Sequence, residues 1–240
     1  MDLTANNSMP LIKGIFLKRY KRFFVEAQLV DTSEIITAHC PNTGSMLGLL
    51  NEGAAVYLSK AVNINNKLPY RLELIEASNK ALVGVNTLST NKIIREALQQ
   101  NQIIEVVEYP QSLEEVKYED SRLDFKLSKG EDIKDQCFME IKSVTLSRTS
   151  GIAEFPDAST SRGLKHLNTL MQIAQLGAKA INLYLVQRSD VSVVRIAKDL
   201  DPSYYQGVIN AKNMGVTFLA YQCEVSIKQI VVKNKIKIMY

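Results

Sequence analysis

The hydrophobic positions of the first eighty residues recur in short runs that polar turns separate. Five of these runs are rich in β-branched and aromatic side chains: 11–17, 22–30, 33–40, 54–62 and 71–77. Short runs of this composition between turn residues are typical of β-strands. Because no long helical period intervenes, the pattern predicts a small closed β-barrel of the kind that binds oligonucleotides.

The pattern changes near residue 83, where a helical period begins. Apolar residues recur at three- and four-residue spacing and predict a helix over 90–100, which Ser89 or Thr90 can cap. Three strand-like runs follow, at 113–119, 121–128 and 137–146.

The remaining chain alternates helices and strands. The pattern predicts a helix over 159–176 that ends at Gly177, and then an apolar strand over 180–187. Asp201 and Pro202 are typical of the start of a third helix, after which "VTFLAYQCEVS" begins a closing set of strands. We therefore predict a mixed α/β chain with an OB-like barrel over 1–82 and a second domain over 83–240.

Composition narrows the functional classes only modestly. The chain has 240 residues, 46% of them hydrophobic, and no run approaches the roughly 18–20 uncharged apolar residues of a membrane helix. Three cysteines far apart in the sequence, and a start without the basic-then-apolar order of a secretory signal, favour the cytoplasm. A net charge of +4 permits a polyanionic partner without requiring one.

Basic and aromatic residues interleave in "FLKRYKRFF", residues 16–24. Ammonium and guanidinium groups neutralise phosphates, and aromatic faces stack on bases. The alternative is a turn with a solvated basic tip whose aromatic residues belong to the core. The candidate nucleic-acid contacts in this segment are Lys18, Arg19, Tyr20, Lys21 and Arg22.

Charged residues also interrupt two apolar strands of the second domain. In a strand alternate residues share a face, so Leu123, Phe125 and Leu127 should point one way and Asp124 the other. In the next strand two charges, Glu140 and Lys142, lie between apolar neighbours. Burying an isolated charge is costly, so these side chains need partners.

Two kinds of partner are open at this point. If the two strands pair antiparallel, Asp124 and Glu140 face one point and offer the oxygen ligands that Mg²⁺ prefers, with Lys142 beside the attacking water or the phosphate. The alternative is a structural salt bridge that joins Lys142 to one of the two carboxylates.

The order of helix, three strands, helix and strand, with Asp and then Glu-x-Lys on the strands, resembles the PD-(D/E)xK nuclease superfamily. The resemblance implies that Asp124 and Glu140 hold Mg²⁺ or Mn²⁺ and that Lys142 assists the water. By position it adds Glu96 of the first helix as a third metal ligand. The chain departs from the motif in having Leu123 where the superfamily has proline.

A closer resemblance extends over nearly the whole chain. Eight blocks in the same order are similar to the sugar fermentation stimulation protein family: "FLKRYKRF", "TAHCPNTGSM", "YRLELIE", "VGVNT", "EVKYEDSRLDF", "EIKSVTL", "FPDASTSRGLKHL" and "VQRSD". The resemblance implies DNA binding, an N-terminal oligonucleotide-binding barrel, a nuclease-like second domain and a link to sugar-utilisation genes. It leaves open a binding protein without catalysis, and also a homodimer.

Two of these blocks add candidate contacts. In "TAHCPNTGSM", Asn42 begins a tight turn whose backbone amides can contact a phosphate. The adjacent His39 and Cys40 lack the further ligands that a zinc site needs. In "FPDASTSRGLKHL", three residues lie within about one turn of each other on the polar side of the helix predicted over 159–176. They are Arg162, Lys165 and His166, and His166 serves either as a proton donor or as part of a structural network.

Overall fold

The computed structural model describes residue 1 and residues 10–60 and 67–240. Its N-terminal part consists of six strands in these ranges: β1 (Ile12–Tyr20), β2 (Phe24–Leu29), β3 (Ile35–His39), β4 (Ala55–Lys60), β5 (Tyr70–Glu76) and β6 (Leu82–Gly84). The last two residues of the predicted run 54–62 lie outside the described ranges.

Five of these strands, β1 to β5, close into a barrel, and β6 pairs with β5 outside the ring. The strands are ordered β3-β2-β1-β4-β5-β6, and a further parallel pairing of β3 with β5 completes the ring. Alternate side chains such as Phe16, Val25 and Leu58 point inward and are almost fully buried. The prediction of an OB-like barrel is confirmed.

The C-terminal part alternates helices and strands. Its elements are α1 (Thr90–Gln99), β7 (Gln111–Tyr118), β8 (Ser121–Ser128), β9 (Gln136–Val144), β10 (Leu146–Thr149), β11 (Gly151–Phe155), α2 (Ser161–Gln175), β12 (Lys179–Val186), β13 (Val191–Ile196), α3 (Pro202–Asn213), β14 (Thr217–Val225), β15 (Ile230–Lys235) and β16 (Lys237–Met239). The predicted order of helix, three strands, helix and strand is present, with β10 and β11 inserted before α2.

A six-stranded sheet forms the centre of this part, in the order β15-β14-β12-β9-β8-β7. Helix α1 packs on one face of the sheet, and α2 and α3 pack on the other. Because both faces are covered, the parallel central strand β12 is buried along nearly its whole length and lacks polar alternation.

A smaller sheet contains strands that the hydrophobic pattern did not predict, in the order β10-β11-β13-β16. These strands are short, and their polar and apolar residues do not alternate regularly. The helix boundaries follow the predicted signals more closely. Asp201 accepts a hydrogen bond from the amide of Tyr204 at 2.9 Å, and Gly177 takes a φ of 90° after α2.

The barrel is joined to the central sheet through backbone and side-chain contacts. The Gly84 amide donates to the carbonyl of Gln187 at 2.8 Å, and Val83 forms an isolated bridge with Arg188. On the other side of the barrel, Asp157 accepts a hydrogen bond from the Met46 amide at 3.0 Å. Asp157 also lines a cleft between the two parts.

Candidate active site between the barrel and the central sheet

The cleft between the barrel and the central sheet has a volume of about 940 Å³. One wall carries Asp124, Glu140 and Lys142 from β8 and β9. The opposite wall carries the turn between β1 and β2, with Lys21 and Arg22. The predicted carboxylate pair and most of the predicted basic cluster therefore face one space.

Asp124 lies where the pairing between β8 and β9 stops. The last paired residues are Phe125 and Met139, and beyond them the Asp124 carboxylate replaces a backbone partner by accepting from the Ile141 amide at 2.7 Å. Its second oxygen accepts from the Asn91 side chain at 3.3 Å. Asp124 is therefore fixed at a fork between two strands and points toward the cleft.

Glu140 is buried, and its two oxygens have different surroundings. Its Oε1 bonds to Lys142 Nζ at 2.8 Å and also contacts His166 Nδ1. Its Oε2 is buried and has no hydrogen-bond partner among the described residues. The salt bridge that the sequence left open as an alternative is thus present, but it engages only half of the carboxylate.

The two carboxylates influence each other's ionisation. Burial and the nearby Glu140 charge raise the pKa of Asp124 to about 7. Burial opposes ionisation of Glu140 as well, but the charge of Lys142 and the contact with His166 hold the pKa of Glu140 below its usual value. The Glu140 carboxylate is therefore matched by the Lys142 ammonium group, whereas the Asp124 carboxylate lacks an equal counter-charge.

The β7–β8 pair is distorted beside Asp124. Leu123 packs in the core under α2 and α3, whereas Phe125 packs in the core under α1. The prediction that these two residues share a face is wrong, because the pair is irregular between them. Directly across from Asp124, Glu115 has a φ of 54°, which is rare for a residue with a Cβ.

The turn between β1 and β2 presents basic side chains in strained backbone conformations. Lys21 and Arg22 have φ values of 46° and 62°, in the region that favours glycine. Neither forms an ion pair with a described residue. Tyr20, at the base of the turn, stacks on Phe24 with ring centroids 5.4 Å apart. Strained residues of this kind are characteristic of binding sites.

Arg19 and Asn42 line the cleft, and their side chains also bond to nearby backbone groups. The Arg19 guanidinium donates to the carbonyls of Asn42 and Gly44 at 2.6 and 3.0 Å. The buried Asn42 side chain donates to the Val85 carbonyl at 3.1 Å and accepts from the Gly44 amide at 2.9 Å. Both side chains, predicted as nucleic-acid contacts, hold the 41–46 turn in place.

Of the other basic side chains predicted to contact nucleic acid, one lines the cleft and two do not. Arg162 lines the cleft, with its Nε 3.4 Å from His166 Nε2. Lys18 pairs with Glu26 at 3.1 Å, and Lys165 pairs with Asp120 at 3.0 Å, and neither lysine lines the cleft.

Glu96 does not join the other two carboxylates. Its side chain bonds to the Met1 amino group at 2.9 Å, and it is absent from the lining of the cleft. Helix α1 instead contributes Asn91, which lies five residues earlier and therefore on a different face of the helix. The sequence interpretation missed Asn91 and Glu115, since neither belongs to the Asp and Glu-x-Lys pattern.

Comparisons with known proteins agree with the division into an N-terminal barrel and a C-terminal part. Residues 17–85 match the family model described as the SfsA N-terminal OB domain, and residues 88–229 match the sugar fermentation stimulation protein RE domain. The chain belongs to the sugar fermentation stimulation protein family.

Relatives in this family are similar over almost their whole length. A sugar fermentation stimulation protein homolog of Pelagibacter ubique is 48% identical over 95% of this chain and 97% of its own. One from Maricaulis maris is 43% identical over 95% and 96%. The solved structure of Pyrococcus furiosus SfsA in complex with Ca²⁺ has a TM-score of 0.87 at 24% identity, covering 100% of this chain and 98% of that one, and shows that the fold is shared.

Two further observations bear on the expected setting of the protein. No helix within the described ranges is long and apolar enough to cross a membrane. Cys40, Cys137 and Cys223 are buried and unpaired. Cys40 Sγ lies 3.6 Å from Met46 Sδ inside the barrel.

Proposed function

We propose that this protein binds nucleic acid, DNA in the first place, and hydrolyses phosphodiester bonds with the help of a divalent cation. The observation that carries the proposal is the placement of Asp124, Glu140 and Lys142 across one cleft from the basic turn at Lys21 and Arg22. A phosphate chain in the cleft would contact positive charge on one wall and the carboxylate pair on the other.

The carboxylates suit a hard divalent cation. Asp124 and Glu140 both line the cleft, and the buried Oε2 of Glu140 has no hydrogen-bond donor among the described residues, so its lone pairs can bind a cation instead. When bound, Mg²⁺ or Mn²⁺ would polarise a phosphate and lower the pKa of a water molecule. The solved structure of Pyrococcus furiosus SfsA is a complex with Ca²⁺, which supports a divalent cation in this proposal.

The protein's own groups have separate roles in this proposal. Asp124 and Glu140 hold the cation, and the Ile141 amide keeps Asp124 oriented. The Lys142 ammonium lies in the cleft wall, where it can orient the attacking water and offset negative charge at the phosphate. Lys21 and Arg22 neutralise neighbouring phosphates of the strand.

Cleavage assays test the proposal directly. Purified protein is incubated with single-stranded and duplex DNA and with RNA, in Mg²⁺, Mn²⁺ or EDTA. We expect metal-dependent cleavage that Asp124→Asn and Lys142→Ala abolish, and nucleic-acid binding that both variants retain. Absence of metal-dependent cleavage of every form would contradict the catalytic role.

A second candidate function is a DNA-binding regulator without catalysis. The observation that favours it is that Lys142 Nζ is already bonded to Glu140 and lies 3.3 Å from His166 Nδ1, so the amine has structural partners. Salt-dependent DNA binding with no cleavage in any metal would select this function. In either case the family name suggests a connection to sugar fermentation, and we expect a reducing cytoplasmic setting because the cysteines are unpaired.

A further inference from the structure

The irregularity in β7 brings a third carboxylate to the cleft. Glu114 pairs with Phe125 and Val116 pairs with Leu123, which leaves Glu115 opposite Asp124 with no regular pairing. Glu115 lines the cleft together with Asp124, and its positive φ is a conformation that a residue with a side chain adopts at a cost in energy.

One amide group links Glu115 to Asp124. Asn91 Nδ2 lies 3.0 Å from Glu115 Oε1 and 3.3 Å from Asp124 Oδ1, so it donates to both carboxylates at once. The positive end of the amide dipole thereby lies between two negative groups. A cation at this place would interact with both carboxylates more strongly than the neutral amide does.

The other contact of Glu115, an exposed ion pair, leaves its carboxylate able to bind a cation. Its Oε2 pairs with Arg122 at 2.8 Å, and both side chains are about half exposed or more. An ion pair in contact with water contributes little to stability, so it holds Glu115 only weakly.

An independent feature of the same cleft indicates a missing positive partner. The Glu140 side chain is only 5% exposed, and its Oε2 has no donor among the described residues. A buried carboxylate oxygen without a donor is unfavourable, and a cation with oxygen ligands is one way to satisfy it. Asp124 and Glu140 both line the cleft, and the amide of Ile141, the residue after Glu140, donates to Asp124 Oδ2 at 2.7 Å, so the two carboxylates belong to the same part of the cleft.

We propose that Glu115 is the third carboxylate ligand of the divalent cation in the cleft, in the role that the family resemblance assigned to Glu96. This inference rests on the proposed function. In the present arrangement no group of three or more acidic, histidine or cysteine side chains within the described ranges is close enough to hold an ion. Binding therefore requires the Asn91 amide to move aside and the Glu115 side chain to turn toward Asp124.

The test measures binding of Mn²⁺ alone to the full chain by isothermal titration calorimetry. Four proteins are compared: the parent, Asp124→Asn, Glu115→Gln and Glu114→Gln. Glu114 is the matched control because it is the preceding residue of the same strand and carries the same charge, while Arg95 Nη2 binds its carboxylate at 2.7 Å. Thermal unfolding in EDTA checks that each variant is folded.

We expect Glu115→Gln to weaken Mn²⁺ binding by about 10–100-fold, the range seen when a group that supports a metal site is removed. Glu114→Gln should leave the affinity within about twofold of the parent, because the Glu114 carboxylate, which also lines the cleft, is already paired with Arg95. Equal Mn²⁺ affinity in Glu115→Gln and Glu114→Gln would overturn the role of Glu115.

The outcomes also separate this inference from the proposed function. If the parent binds Mn²⁺ and Asp124→Asn does not, the proposed cation site stands whatever Glu115→Gln does. If the parent fails to bind Mn²⁺ at millimolar concentration, both proposals are wrong. A lower unfolding temperature in Glu115→Gln with unchanged Mn²⁺ affinity would assign Glu115 a purely structural role and would also overturn the inference.

Discussion

Replacing Lys142 with methionine tests whether the buried charges of the cleft are arranged around a cation. The Lys142 side chain is 10% exposed and that of Glu140 is 5% exposed, so their 2.8 Å ion pair is largely shielded from water. Methionine keeps most of the side-chain length and removes the charge. Asp124 and Glu140 are then left together without the ammonium group, and only His166 remains beside Glu140.

The expected loss of stability follows from this burial. Removing one partner of a buried ion pair costs about 3–5 kcal/mol, and we expect about 3 kcal/mol because His166 remains as a partner. A cation that binds only the folded state adds about 2.7 kcal/mol at a concentration one hundred times its Kd. Mn²⁺ should therefore restore most of the stability that Lys142→Met loses.

Urea unfolding in EDTA and in Mn²⁺ measures both effects. The control is Lys165→Met, which removes an exposed pair with Asp120 and should cost less than about 1 kcal/mol in either solution. The reasoning is refuted if Lys142→Met has the parent's stability in EDTA. It is also refuted if Mn²⁺ stabilises Lys142→Met no more than it stabilises a variant that lacks Asp124.

Three further predictions concern the surroundings of the cleft. Burial opposes ionisation of Glu154, but hydrogen bonds from Arg148 and Arg195 hold the pKa of this carboxyl below its usual value. The stability that ionised Glu154 contributes should therefore be present above the unfolded-state pKa and lost as the pH falls through the folded-state pKa. Glu154→Gln should lower the urea midpoint at pH 7 and make that midpoint depend less on acid pH. In Gly44→Ala the added Cβ would lie 2.6 Å from Asp157 Oδ2, and we expect a loss of about 1 kcal/mol, or about 2–4 °C in Tm, by calorimetry. Arg22→Ala should reduce the slope of log affinity against log salt concentration for DNA binding by about one phosphate contact. Arg19→Lys, which disturbs the carbonyl contacts of the 41–46 turn, should weaken binding without changing that slope. Equal slopes in the two variants would contradict this assignment.

The local elements were predictable because their signals are local. The helix predicted over 90–100 is Thr90–Gln99, and β2, β3 and β4 lie within their predicted runs. Strand β1 continues three residues beyond its run, β5 begins one residue before its run, and β6 was not predicted. Apolar periodicity and capping residues act over a few neighbours, so the sequence carries them directly. Strands β11 and β13 escaped prediction because the sheet that they form is held together by pairing between distant segments.

The candidate site was only partly predictable. Asp124, Glu140 and Lys142 could be expected together because β8 and β9 pair antiparallel up to Phe125 and Met139, which brings the next residues of the two strands to the same end of the ladder. The helix residue could not be placed in this way. Five residues along a helix rotate a side chain by about 140° to another face, and the structure has Asn91, not Glu96, beside Asp124.

The sequence by itself determined the order of the elements, the closed barrel and the burial of charge in β9, because hydrophobic period and residue chemistry depend on near neighbours. Only the tertiary structure decided which charges remain available in the cleft. It bonded Arg19 to carbonyl groups, gave Glu140 Oε2 no donor within the described part of the chain, and brought Glu115 opposite Asp124. Hydrogen-bond satisfaction depends on which distant segments meet, and no local pattern records it.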